Sequence, residues 1–338
     1  MHDSRLLIAV FTLLFQARPA TGIDLLSTAV NVAAWHNEIK LCRQGSLGQA
    51  CRWRMNSTDD APKNFPYLST SLYYGSPGVA IFLSQVAEAT GNSKWREIAA
   101  EALEETRDGV AVALSSYGTN AGFYYGLTGL AFGLRAASPT LPHSTEYLAA
   151  AVLIEQHVMA RVLPFAEASS GAALWNNTDV AHGAAGTGLY LLWAARQEDV
   201  SDSHRLLLLD AAARAGQWLL SRQEPVPEGG VRWARGPDTD GEHLHEYFPT
   251  FCCGTAGVAY FLLELAQAVA SQPALQDELL STAKQAATHL TLLGKATQPQ
   301  GFKDIFLLPH GEQGIDRDEF YLGWCGGPPG WARLFVAL

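Results

Sequence analysis

Apolar residues along this chain fall into two kinds of run. In one kind the helix is apolar on nearly every side, as in VAYFLLELA from Val258, and such a helix has to be buried all round. In the other the apolar positions recur at helical spacing among charges, as in SKWREIAAEALEETRDGVAVAL from Ser93 and HRLLLLDAAARAGQWLLSRQ from His204, which suits an outer layer with one wet face. The all-apolar runs share an entrance. YYGSPGVAIFLSQVAEA from Tyr73, YYGLTGLAFGLRAA from Tyr124, AHGAAGTGLYLLWAA from Ala181, CCGTAGVAYFLLELAQA from Cys252 and CGGPPGWARLFVAL from Cys325 each place Gly-x-x-Gly before the helix. The first glycines, Gly75, Gly126, Gly183, Gly254 and Gly327, are separated by 51, 57, 71 and 73 residues, a repeat with variable insertions. Strand signals are sparse. The pattern predicts an all-α protein: an α/α toroid of helical hairpins with five repeats, inner helices entered through glycine turns and outer helices wrapped around them. Glycine is expected there for a positive-φ turn and for close backbone approach. The inner-helix N-termini are expected to present unpaired N–H groups and positive dipole ends to one end of a central cavity.

The residues just ahead of each first glycine therefore become candidates. They are Tyr73 and Tyr74, Tyr124 and Tyr125, His182, and Cys252 and Cys253, with Cys325 in the last repeat. Tyrosines, a histidine and thiols make a chemically useful lining. His243 and His245 in GEHLHEYFP read as loop residues rather than ligands, and His310 has no evident partner.

Composition narrows the function. The 338 residues are 48% hydrophobic and 17% charged, enough for a substantial core, and the net charge of −10 argues against nucleic acid as a partner. Residues 1–22 read as a secretory signal peptide, with a short polar start, the apolar run Leu6–Phe15 and small residues after it, and no other stretch has transmembrane length. A secreted or secretory-lumen location follows as an expectation. Asn56 and Asn176 then become glycosylation acceptors, and Cys42 and Cys51, in an N-terminal segment 23–66, would close a small disulfide.

From residue 67 to 338 the chain resembles the lanthionine synthetase C-like family. DVAHGAAGTGLYLL from Asp179 is similar to the family's third repeat, FPTFCCGTAGVAYFLLELA from Phe248 to its fourth, and GWCGGPPGWARLF from Gly323 to its fifth. The resemblance implies an α/α barrel with zinc at the cavity end. It also implies addition of a thiol, from a peptide cysteine or glutathione, to dehydroalanine or dehydrobutyrine in a peptide. Cys325 matches one family zinc ligand, and Asp179 an assisting aspartate. Cys253 stands where the family carries a catalytic histidine, which makes it the candidate proton-transfer group. The family's Cys-His ligand pair in a sixth repeat has no counterpart here, and WARLFVAL carries no stop signal, so the expectation is an incomplete toroid, weakened in activity and exposed over Trp331–Leu338.

Rival readings remain. Cys252, Cys253 and Cys325, with His182, would make a rewired zinc site. Alternatively, Cys252 and Cys253 are small buried apolar residues, or one of them is disulfide-bonded to Cys325. A non-catalytic toroid would bind a peptide or sugar against the tyrosines. A six-hairpin glycosidase would need two carboxylates, for which Asp179, Glu246 and Asp318 are the candidates.

Overall fold

The computed structural model describes residues 24–53, 71–116, 120–162, 175, 177–236, 246–297, 305–313 and 319–338. The segment 1–22, Asn56, Asn176, His243, His245 and Asp318 lie outside the described residues. The described chain is predominantly helical, with three two-stranded antiparallel hairpins. None of its helices is long and apolar enough to cross a membrane. Two compact units divide it, residues 1–118 with 129–157 and residues 119–128 with 158–338.

The first unit opens on α1 (Leu25–Ile39), capped by Asp24, whose Oδ1 accepts from the N–H groups of Leu26 (3.1 Å) and Ser27 (3.2 Å). Strands β1 (Lys40–Gln44) and β2 (Gln49–Trp53) pair so that Cys42 lies opposite Cys51, and the two are disulfide-bonded with Cα atoms 4.2 Å apart. Helix α2 (Ser76–Thr90) ends on Gly91, whose φ of 68° is the left-handed conformation that suits glycine at a helix stop. It packs along the amphipathic α3 (Ser93–Ser116). Arg135 of α4 (Leu127–Ala137) is ion-paired with Glu155 of α5 (Ser144–Val162) at 2.6 Å, both side chains buried.

In the second unit α6 (Ala184–Ala195) is buried along its whole length, as an all-round apolar sequence demands. It pairs with α7 (Asp202–Leu220), which buries Leu208, Ala211, Ala212, Ala215 and Leu219 and leaves Leu206 and Leu207 exposed. Helix α8 (Thr255–Ala268) pairs in the same way with α9 (Pro273–Leu293), and also packs along α6 and α10 (Pro328–Ala337). The short pairs β3 (Glu224–Pro225) with β4 (Val231–Arg232), and β5 (Lys295–Thr297) with β6 (Ile305–Leu307), lie in the connections.

The glycine entrances work differently from the positive-φ expectation. Gly75, Gly183, Gly254 and Gly327 cap their helices with negative φ, from −110° to −157°. What requires glycine is space. A Cβ on Gly183 would lie 2.2 Å from the Asn177 carbonyl oxygen, and one on Gly254 would lie 1.7 Å from that of Phe248. At the second glycine of each motif, a Cβ on Gly186 would lie 1.9 Å from Val180 O, one on Gly257 1.9 Å from Phe251 O, and one on Gly330 2.0 Å from Trp324 O. The chain ahead of each motif is folded back over the first helical turn.

That fold-back also corrects the expectation of unpaired helix N–H groups. Leu127 N–H donates to Asn120 O (3.1 Å), Ala184 N–H to Asn177 O (3.0 Å) and Thr255 N–H to Phe248 O (2.8 Å). Each of these donors follows its first glycine and reaches seven residues back, so the approach segment satisfies the helix start from within. The expected exposure of Trp331–Leu338 is corrected in part: Trp331 and Leu334 are buried against the unit, and exposure is confined to Val336, Ala337 and Leu338.

Candidate functional site

The glycine turns of the second unit are stitched together by their main chains in repeat order. Tyr124 N–H donates to Ala181 O (3.0 Å), Ala181 N–H to Cys252 O (2.9 Å), and Cys252 N–H to Cys325 O (3.2 Å). All four residues stand two positions ahead of their glycine, so the bonds connect equivalent points of successive repeats. The residues that sequence alone marked out in four different segments are thereby brought to one line of turns.

At the third turn, Asp179 is fully buried. Its Oδ1 accepts from His182 N–H at 2.6 Å and its Oδ2 from Arg235 Nε–H at 3.1 Å. His182 Nδ1 lies 3.4 Å from Asp179 Oδ2 and 3.4 Å from Arg235 Nη2. Burial alone would raise the Asp179 carboxyl; the hydrogen bonds and charge of His182, with the Arg235 charge, outweigh it and hold the group below its ordinary value. Asp179 is therefore an anion that orients His182, beyond the turn-capping role available to any aspartate there. The imidazole ring stacks on Tyr125, centroids 4.5 Å apart and planes 6° off parallel. Nδ1 faces an acceptor and a donor at equal distance: a proton on Nδ1 would be directed at Asp179 and leave Nε2 with the lone pair of a base, whereas a lone pair on Nδ1 would accept from Arg235 Nη2.

Arg235 carried no signal in the sequence. It sits at the end of a connection whose position is set by the bridge between Ala234 and Tyr247, and by Thr178, whose N–H donates to Arg235 O (3.1 Å) and whose hydroxyl donates to Ala234 O (2.9 Å).

At the fourth and fifth turns three sulfurs converge. The Sγ atoms of Cys252, Cys253 and Cys325 all lie within 4.8 Å of one another. Cys252 and Cys325 are disulfide-bonded, with Cα atoms 4.8 Å apart, and Cys253 keeps its thiol. Cys252 is buried, Cys253 is half-buried, and Cys325 is the most open of the three. Trp324, next to Cys325 in sequence, is 5.0 Å from Tyr124 and 5.6 Å from Phe251, centroid to centroid, so three rings cluster at the fifth turn.

The remaining candidates have surroundings of their own. Tyr73 and Tyr74 belong to the first unit, where they are exposed and pack edge to face at 4.5 Å. Glu246 contributes its carbonyl to Arg235 N–H (2.9 Å). His310 packs between Phe248 and Tyr321. A groove of about 380 Å³ between α9 and α10, lined by Lys284, Thr288, Leu292 and Phe335 among others, includes none of the thiol or Asp179–His182 residues.

The solved structure of "Nisin cyclase" superposes with a TM-score of 0.54 at 14% sequence identity, covering 92% of this chain and 69% of that one, a likeness of fold. No curated protein sequence matches the chain. The sequence profile described as lanthionine synthetase C-like protein matches residues 66–338, most of the chain, including every glycine turn and the Asp179, Cys252, Cys253 and Cys325 positions. The chain belongs to the lanthionine synthetase C-like family.

Proposed function

We propose that this protein adds a thiol, from a peptide cysteine or glutathione, across the double bond of dehydroalanine or dehydrobutyrine in a peptide, with zinc as its cofactor. The observation that carries this reading is the arrival of an oriented histidine and a cluster of three sulfurs on adjacent, main-chain-linked turns. Soft thiolate donors suit zinc, and three sulfurs within 4.8 Å of one another are a compatible set when reduced. In the disulfide form Cys252 and Cys325 have no thiolate to offer, so the fit holds for the reduced protein. Reduced, Cys325, Cys252 and Cys253 would hold the ion, and when bound it lowers the proton affinity of an incoming thiol.

The protein's own residues do the rest. The substrate S–H adds across C=C: the sulfur bonds to the β-carbon, the thiol proton is removed, and the α-carbon gains a proton. His182, held by Asp179, takes and returns that proton at Nε2. The hydrogen bonds and charge of His182, with the charge of Arg235, keep Asp179 ionised, so the aspartate stabilises the imidazolium formed in between. This gives His182 the proton-transfer duty and leaves Cys253 with the sulfurs. Tyr125 fixes the imidazole plane, and Trp324 with Tyr124 offers an apolar wall for a peptide. The protein is in this reading secreted, with residues 1–22 as its signal.

The test is incubation of the reduced protein with zinc, glutathione and a dehydroalanine peptide, followed by mass spectrometry. A mass increase of one glutathione per peptide, absent with chelator, supports the reading. Unchanged peptide with a zinc-loaded, folded protein overturns it in favour of a non-catalytic, peptide-binding toroid.

A further inference from the structure

Two cysteines suffice for a structural disulfide, yet here a third sulfur stands within 4.8 Å of the pair. The other disulfide is built differently. The group that completes the cluster around Cys42 and Cys51 is the carboxylate of Glu101, which is ion-paired with Lys40. At Cys252–Cys325 the third group is a thiol, Cys253, adjacent in sequence to one half of the bond.

The scaffold around these sulfurs is held by more than the sulfur–sulfur bond. Cys252 N–H is hydrogen-bonded to Cys325 O at 3.2 Å, and the preceding residues Phe251 and Trp324 pack with ring centroids 5.6 Å apart. Gly330 is pressed against both: a Cβ there would meet Trp324 O at 2.0 Å and Phe251 Cβ at 2.8 Å. None of these contacts involves a sulfur, so they are available to hold the two turns together when the disulfide opens. Cys253 is half-buried and Cys325 is more open, so a reductant can approach from their side, whereas Cys252 is buried.

We propose that Cys252, Cys253 and Cys325 form a redox-gated metal site: closed as the Cys252–Cys325 disulfide, and open as three thiolates that bind one zinc or another thiophilic divalent cation. Opening consumes one dithiol. Its two S–H groups reduce the Cys252–Cys325 bond, two electrons pass, the two cysteine thiols form, and the dithiol leaves as its cyclic disulfide. Cation binding then releases the thiol protons to solvent. Oxidation by a disulfide compound reverses the exchange and expels the ion, because two of its three ligands are withdrawn. The gate deepens the proposed zinc-dependent reading and rests on it only for the choice of zinc.

The experiment uses the full chain, either reduced with a dithiol that is then removed, or oxidised with a disulfide compound. Bound zinc is measured after equilibrium dialysis, and cadmium is used in parallel for its thiolate charge-transfer absorption. Cysteines are mapped by alkylation and mass spectrometry. The expected result is close to one ion per reduced chain and under a tenth of that per oxidised chain. Metal should protect Cys252, Cys253 and Cys325 from alkylation, and Cys253→Ser should weaken binding about tenfold or more. The alkylation map on the unaltered chain serves if Cys253→Ser fails to fold. Reduced protein that binds no metal, oxidised protein that binds equally, or metal that leaves the three cysteines unprotected would each overturn the gate. Metal bound at these thiols without addition to the dehydroalanine peptide leaves the gate standing and removes the catalytic reading. Addition without metal at these thiols does the reverse.

Discussion

Cys252 and Cys325, 73 residues apart, are joined twice, by a main-chain hydrogen bond of 3.2 Å and by a bond between their sulfurs. Each stands two positions ahead of a glycine that caps a helix, so the double link ties repeat four to repeat five at equivalent points. The same register, continued through Ala181 and Tyr124, gives the site its order.

The second glycine of each motif should not tolerate a methyl group. Gly257→Ala places a Cβ 1.9 Å from Phe251 O and 2.6 Å from Val180 Cγ2, and the expected destabilisation is about 3 kcal/mol from overpacking. Gly323→Ala, with nothing within 4 Å of its Cβ, should stay within about 0.5 kcal/mol. Urea denaturation of both variants checks the contrast, and equal midpoints would contradict the fold-back packing.

Removing the Asp179 carboxylate leaves the guanidinium of Arg235 beside an empty buried position. Asp179→Ala should cost about 3 kcal/mol, whereas Asp179→Ala with Arg235→Met should recover part of that loss, because no uncompensated charge remains. Thermal unfolding of the single and double variants measures the coupling. Strict additivity would show that the pair is not coupled.

His182→Ala should lower the rate of thiol addition by roughly 100- to 10,000-fold while leaving metal stoichiometry unchanged. The two readouts separate proton transfer from metal binding. A parallel loss of metal would instead put His182 among the ligands.

Acid should destabilise the protein partly through Glu312, which accepts from Arg232 Nη1 at 2.6 Å and lies 2.9 Å from His289 Nε2. Burial would raise its carboxyl, but His289 and Arg232 outweigh that and hold it below its ordinary 4.5. The folded value is the lower one, so the stabilisation is present above 4.5 and is lost as pH falls from there through the folded value. Glu312→Gln should flatten this acid limb of the stability curve. An unchanged slope below pH 4.5 would rule Glu312 out as its source.

The all-apolar stretch at Val258 and the mixed pattern at Ser93 announced a buried and a half-exposed helix, because burial demands apolar residues at helical spacing wherever the helix sits. The motif Gly-x-x-Gly marked the helix starts for the same local reason, although the need turned out to be close approach rather than positive φ. His182 and the three cysteines could be named as candidates because their position relative to each glycine is a sequence property, and Asp179 because it matches an aspartate of the family's third repeat. Their partners could be named only in part: a disulfide from Cys325 is foreseen to Cys252 or Cys253 without a choice between them, and Arg235 is not foreseen. Arg235 reaches Asp179 from 56 residues away, and Cys252 meets Cys325 rather than its neighbour Cys253. Pairings of that kind depend on how separate segments are laid against one another. Sequence spacing is blind to this, and the hydrogen bonds between turns, formed only in the folded chain, decide it.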